Sequence, residues 1–331
     1  MKSFPSFLFF ITFLFFCILG KGQILWSQEK KIQIQPKYTL HQKKRYAYLL
    51  TDKFVFPKKE SGKVRFSMVV RFLLVYYLEP VKISSQQVEF ELTFARIFLY
   101  RWQGGMYLKY DTKNPSSKEA GSINYILHLL LHPMIGKKIR ILTDLYRQKV
   151  KVEGSKELYQ KALQSIPPAY RGFLKNILTK LFSQKALESF FLTCHPPLPK
   201  TPVVKGDSWE VVRSVPRLGA DETLRFTFKE IQKKKTHVYY IFSLFSTLKP
   251  SKDAVGAGGY RFIQGNSSGY VILDENGQAF QSNSLSTLKV ILPSSDSHLT
   301  GHEEIKAYIV RKSSKQQKRG KDNKDSRNAG K

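Results

Sequence analysis

VEFELTF, residues 88–94, puts Val88, Phe90, Leu92 and Phe94 at every second position, with Glu89, Glu91 and Thr93 between them. A period of two gives a strand one apolar face and one polar face, so this stretch reads as a strand with one side in a core and the other in water. The same logic extends in both directions. Upstream, VRFSMVVRFLLVYYL (64–78) is long enough for a helix, but its Val, Phe and Tyr content and lack of Ala favour a strand. Before it, Ile32, Ile34, Tyr38 and Leu40 flank Pro36, and KKRYAYLLTDKFVF (43–56) is rich in aromatic and β-branched residues. Downstream, Gly104-Gly105 marks a turn, and MYLKYDT follows with Met106, Leu108 and Tyr110 on one face. Asn114 to Ser122 has loop composition, Ile123 to Met134 reads as a short helix, and the stretch after Gly136 reads as two strands turning near Asp144.

The periodicity changes after Gly154. Leu158, Ala162 and Leu163 recur at helical spacing, as do Phe173, Leu174, Ile177, Leu178, Leu181 and Phe182, and then Leu187, Phe190 and Phe191. Pro167-Pro168 separates the first two helices, and Ser183 is placed to cap a third. Lys175, Lys180 and Lys185 occupy the polar sides. Such a helix can lie on a membrane surface, but its stripe is the ordinary one for packing on the protein's own core, which is the expectation here. CHPPLPKTP (194–202) is a proline-rich connector. Beyond it, LRFTFKEIQ and THVYYIFSLFSTL alternate about a turn at Lys233–Lys235, and Asn276-Gly277 marks a hairpin. Leu288 to Leu292 and Ile305 to Val310 supply the last strands.

The expected fold class is therefore α+β, mainly antiparallel β, as curved sheets or an open barrel or sandwich with a helical insertion at about 155–193. The chain divides into a signal peptide (1–22), a first β-rich part (23–154), the helical segment (155–193), a connector (194–204), a second β-rich part (205–310) and a basic tail (311–331). The two β-rich parts share an order of features: 42–48 parallels 205–211, 81–100 parallels 224–245, and 104–111 parallels 265–274. Any two antiparallel meanders share some of this, so duplication stays open.

Met1 and Lys2 precede an apolar, Phe-rich run from Phe4 to Leu19, and Gly20 and Gly22 stand where a signal peptidase needs small residues if it cuts before Gln23. The run falls short of the roughly 20 residues that span a bilayer. Cys17 lies inside the apolar run behind Phe15 and Phe16, which argues against a lipoprotein. Export to the periplasm, cell envelope or exterior is expected, with no transmembrane helix left after cleavage. Removing Cys17 leaves Cys194 alone, so no internal disulfide is available and the core must supply the stability.

The formal charge is +30. That balance points to an anionic membrane surface, an acidic polymer or nucleic acid. Export argues against nucleic acid, and dispersal of the charge over nearly every segment favours a generally basic surface. From Arg311 the tail holds no apolar residue larger than alanine and is expected to be disordered.

LPKTPVVKGDSW (Leu198 to Trp209), together with YDT, the strand ending KVEG and the late LDENG hairpin, resembles an uncharacterised family of secreted bacterial proteins known as a domain of unknown function. The resemblance covers most of the mature chain. It implies a β-rich envelope or extracellular protein and carries no assigned activity, cofactor or site residue.

No catalytic, cofactor or metal residues are assigned from the sequence. His128 and His132 have i, i+4 spacing, but Leu129 stands where a metalloprotease needs Glu. His298 and His302 repeat the spacing about Gly301, beside Glu303 and Glu304, and leave a loop metal site as a minor reading. Cys194-His195 is the only Cys/His pair, and neighbours on an extended connector point apart. The glycines of GAGG (256–259) lead into strand-like YRFI, where a phosphate cradle needs a helix. Asp111, Asp207 and Asp274 sit at strand ends, where Asp serves turns. Three functions stay in play. The leading one is a non-catalytic envelope protein holding an apolar ligand or lipid. The others are a cationic protein binding an anionic envelope surface or polymer, and a hydrolase with an unrecognised metal site.

Overall fold

The computed structural model describes residues 31–57, 64–103, 105–115, 122–252, 254–256, 260–292 and 295–310. The expected signal peptide and basic tail lie outside them. The first half of the chain supplies β1 (Lys44–Pro57), β2 (Val64–Ile83), β3 (Gln87–Gln103), β4 (Met106–Asp111), β5 (Lys138–Asp144) and β6 (Val150–Glu153). The second half supplies β7 (Ser208–Val215), β8 (Ala220–Lys234), β9 (His237–Pro250), β10 (Arg261–Asp274), β11 (Ala279–Leu292) and β12 (Ser295–Ile309). Helix α1 (Ile123–Leu131) runs on into a single 3₁₀ turn, and α2 (Ser155–Gln164), α3 (Pro168–Phe182) and α4 (Gln184–Cys194) fill the expected helical segment.

All the strands join one open, curved, antiparallel sheet in the order β6-β5-β3-β2-β1-β12-β11-β10-β9-β8-β7, with β4 paired to the outer half of β3. The fold is thus α+β and mainly β, as the alternation predicts. Each half is a meander, and the two meet where β1 pairs with β12, from Tyr46 opposite Ile309 to Val55 opposite Thr300. Val88, Phe90, Leu92 and Phe94 are buried. Outside them, Glu89 pairs with Arg140 and Glu91 with Lys138 across to β5. The alternation then shifts phase. Val75 faces Arg96 and Tyr76 faces Phe94, so Ala95 is an extra residue and Ile97 becomes the next buried position. Pro80, which reads as a break, sits within β2 beside a second register shift, where a missing N–H is tolerated.

The helices pack inward, as their stripes predict. Leu174, Leu178, Phe182, Leu187 and Phe191 share a core with Phe90, Phe94 and Ile97. Pro168 opens α3 at a position where its missing N–H costs nothing, and the Ser183 hydroxyl accepts from Ala186 N to cap α4. Helix α4 packs against both edge strands, β6 and β7. On one side, Val152 N of β6 donates to Glu188 Oε1 at 3.3 Å. On the other, Arg213 of β7 donates through Nη1 to Ser189 O at 3.1 Å and to Thr193 Oγ1 at 2.6 Å. The sheet has two free edges, and this helix stands between them.

The segment singled out by resemblance plugs one end. Leu198 and Val203 are buried, Val203 bridges to Ile32, and Leu198 N donates to Tyr146 O at 2.8 Å. The Trp209 ring stacks on Phe226 at 5.5 Å and meets Phe242 edge-on. At the opposite end, Phe54, Val215, Leu218, Leu248, Phe262 and Leu299 form a separate cluster.

Candidate functional site

Between the two ends, the concave face of the sheet and helices α3 and α4 enclose a cavity. It amounts to about 1070 Å³ of atom-free space, open solvent at its mouth included. One wall is apolar, from Tyr48, Leu50, Phe72 and Leu74 of β1 and β2 and from Leu187 and Phe190 of α4. Alternation along β1 and β2 and the stripe of α4 put these side chains there. Tyr48 and Phe190 meet edge-on at 5.2 Å. Burial, with nearby Glu303 adding to it and Arg217 opposing, pushes the Tyr48 hydroxyl up, so it stays protonated. Lys180 of α3 lies at the cavity and is part-exposed.

The facing wall is polar. Arg213 holds Glu222 through Nε at 2.8 Å and Nη2 at 2.6 Å, and both side chains are buried. Ser246 Oγ donates to Glu222 Oε1 at 2.7 Å and lies 2.6 Å from Ser267 Oγ. Arg217 pairs with buried Glu303. Asp52 stands directly across the β1–β12 seam from Glu303. Burial, and then the Glu303 charge, hold the Asp52 carboxyl well above the usual carboxylate range, against the pull of Arg217. None of these polar residues except Glu303 was singled out in the sequence. Their meeting depends on strand register over long separations, which local spacing does not carry.

The residues that were singled out fall elsewhere. Cys194 ends α4, buried, and burial pushes its thiol up to about 12. His195 is buried, with Nε2 3.0 Å from Tyr76 Oη and its ring edge-on to Tyr46 at 4.7 Å. Burial, then Arg147 and Lys44, holds its imidazole well below the ordinary value. A protonated thiol and a neutral imidazole packed among tyrosines are core groups. His128 and His132 stack at 4.6 Å, and His128 Nδ1 lies 3.2 Å from Tyr110 Oη. The stretch read as a loop around His298 and His302 is strand β12, which spaces those residues about 13 Å apart along the chain. There His302 is exposed while Glu303 is buried on the other face. Among the described residues no group of three or more His, Cys, Asp or Glu is placed to hold a metal.

The three aspartates serve separate turns. Asp111 takes a two-pronged bond from Arg96, at 2.9 and 2.5 Å, which with the Lys113 amide holds its carboxyl below the usual range against burial. Asp207 accepts from Val204 N, and Asp274 from Asn276 N and Gln278 N, closing the hairpin at Gly277. Gly256 of the GAGG run lies in a loop, and the other three residues fall outside the described ones.

Among the described residues no helix is long and apolar enough to cross a membrane, a statement that leaves strands aside. No curated protein matches the chain. Among solved structures, lipovitellin, in a study of lipid–protein interactions, is 8% identical over 83% of this chain and 26% of its own, with a TM-score of 0.43. An outer membrane channel from Pseudomonas putida F1 is 6% identical over 85% of this chain and 100% of its own, with a TM-score of 0.24. OmpF of Salmonella typhi, in complex with daunomycin, is 8% identical over 82% and 98%, with a TM-score of 0.20. The chain thus spans about a quarter of lipovitellin, and likenesses this distant bear on neither ligand nor activity. What the comparisons do establish is kinship: residues 85–277, from the start of β3 to the β10–β11 turn, match the family of unknown function DUF6263, and the chain belongs to it.

Proposed function

We propose that the protein is an exported, non-catalytic binding protein that carries an apolar ligand or lipid in the cavity between the curved sheet and α4. The observation that supports this is the cavity itself. It has aliphatic and aromatic side chains from two strands and a helix on one wall, and a helix in the gap between the sheet edges. Nothing in that lining combines a nucleophile with a base: the one thiol is protonated and buried away from it, and the carboxylates of the polar wall are engaged by arginines or by each other. Export rests on the composition of residues 1–22.

The test is native purification of the full chain followed by solvent extraction, in parallel with titration by a fluorescent fatty-acid probe. Co-purifying lipid, or saturable uptake near one probe per chain, is expected. A protein that yields no lipid and leaves the probe as it is in buffer overturns the reading.

A further inference from the structure

The polar wall is ordered. Read across the sheet, Ser246 of β9 is the register partner of Ser267 of β10, Ser267 of Ser286 of β11, Ser286 of Glu303 of β12, and Glu303 of Asp52 of β1. One row of polar side chains therefore crosses five adjacent strands on the concave face, between the apolar cavity wall and the cluster around Phe54. The three serines and Glu303 are all buried. A second direction runs along β11, where Ser282, Ser284 and Ser286 alternate on the same face and all line the cavity. Opposite Ser284 stands Gly269, which has no side chain to fill the space.

The serines of β11 differ from the rest of the wall. The Ser246 and Ser267 hydroxyls are engaged, whereas those of Ser282, Ser284 and Ser286 have no partner among the described residues. Buried hydroxyls ordinarily find partners. The charges beside them are matched: Arg213 spends four of its five donors on Glu222, Ser189 and Thr193, and Arg217 faces Glu303 and Asp52. An ionised carboxylate or phosphate placed here would be buried beside Glu222 and Glu303 with no cation of its own, which is costly. A hydroxyl-bearing head without charge would exchange hydrogen bonds with the three serines at no such cost.

Resting on the reading of the cavity as a lipid site, we propose that its ligand is an uncharged, hydroxyl-bearing amphiphile of the monoacylglycerol type, seated with its polar head on the β11 serines and its chain along Tyr48, Leu50, Phe72 and Leu74. The competing arrangement is a free fatty acid with its carboxylate turned out to Lys180.

The experiment loads the full chain with the neutral dye N-phenyl-1-naphthylamine and displaces it at pH 7.5 with a monoacylglycerol or with the fatty acid of the same chain length. At about two- to tenfold per neutral hydrogen bond, the monoacylglycerol is expected to compete at least about tenfold more strongly. The triple variant S282A/S284A/S286A removes hydroxyls that bond to nothing in the chain, so it should fold and take up the dye. In it the tenfold preference should vanish, whereas Lys180→Ala should leave it intact. Equal or stronger competition by the fatty acid, a preference that survives the triple variant, or one abolished by Lys180→Ala overturns the head-group assignment alone. Failure of the dye and of both lipids to bind overturns the lipid-site reading together with it.

Discussion

Arg147 is the side chain whose loss should cost the fold most. It stands in the β5–β6 turn, 2% exposed, and among the described residues no carboxylate lies within ion-pair distance of it. Its Nε donates to Pro196 O at 2.9 Å, Nη1 to Tyr38 Oη at 2.9 Å and Nη2 to Gly277 O at 2.7 Å. Tyr38 passes the chain on by donating to Leu145 O. One guanidinium thus ties the N-terminal segment, the proline-rich connector and the β10–β11 turn to the β5–β6 turn. The residue also has φ 58°, a left-handed conformation that a side chain with a Cβ adopts at a cost of about 1–2 kcal/mol, so the contacts must outweigh that strain. A hydrogen bond from a charged donor contributes about 1.5–3 kcal/mol, and an acceptor left buried and bare costs about 1–3 kcal/mol. Three such bonds are not additive, and relief from burying a charge offsets part of the loss. Arg147→Met should therefore destabilise by about 3–5 kcal/mol, a large share of the 5–15 kcal/mol of a typical domain. With a urea slope of at most about 3 kcal/mol per molar, the unfolding midpoint should fall by about 1 M or more. Tyr38→Phe, which removes one partner and keeps the ring, should lose only about 1 kcal/mol. A loss below about 1 kcal/mol for Arg147→Met would show that the plug holds without the guanidinium and would refute the reasoning.

Two further outcomes follow from buried titratable groups. Because the folded imidazole of His195 titrates well below its free value of 6.5, the unfolded chain binds the extra proton first. Its contribution is full above pH 6.5 and is lost as pH falls, by about 1.4 kcal/mol per unit until the folded pKa is reached. Urea midpoints of the wild type and of His195→Gln, measured from pH 7.5 to 5, should draw together toward acid, and parallel curves would contradict the assignment. Cys194, buried with its thiol raised to about 12, should not react with a disulfide reagent at pH 8 in the native protein and should react fully in denaturant. Native labelling within minutes would show that the end of α4 opens to solvent.

The elements visible in the sequence are those whose signal is local. VEFELTF shows its two faces within seven residues, and the Pro167-Pro168 and Ser183 boundaries announce α3 and α4 by cap chemistry alone. Asp274 before Asn276-Gly277 marks its hairpin because the bonds it accepts lie two and four residues away. What stayed hidden depends on distance. The extra residue Ala95 shifts the phase of β3 only in relation to β2, and the pairing of Asp52 with Glu303 joins residues from opposite ends of the chain. The serine row crosses five strands, none of which shows in isolation that its serine meets another. His298 and His302 misled for the converse reason: i, i+4 spacing brings groups together on a helix and separates them on a strand.

The limits of the family match divide the molecule in a way that bears on the proposed ligand. Residues 85–277 hold both sheet edges, β6 and β7, the helix between them, the Leu198–Trp209 plug and the strands carrying Arg213, Glu222, Ser246 and Ser267. They contain the whole means of closing the open sheet and the charged end of the polar row. β1, β2, β11 and β12 lie outside the match, and they supply Tyr48, Leu50, Phe72 and Leu74 of the apolar wall, the three unpartnered serines, Glu303 and Asp52. Shape and closure are thus held by the matched span, whereas most of the surface that would meet a ligand belongs to the seam. Substitutions in the plug or in α4 should act first on stability, and those on β11 on ligand choice. Arg147→Met and the triple serine variant probe these separately, because one breaks bonds inside the chain and the other removes hydroxyls bonded to nothing in it.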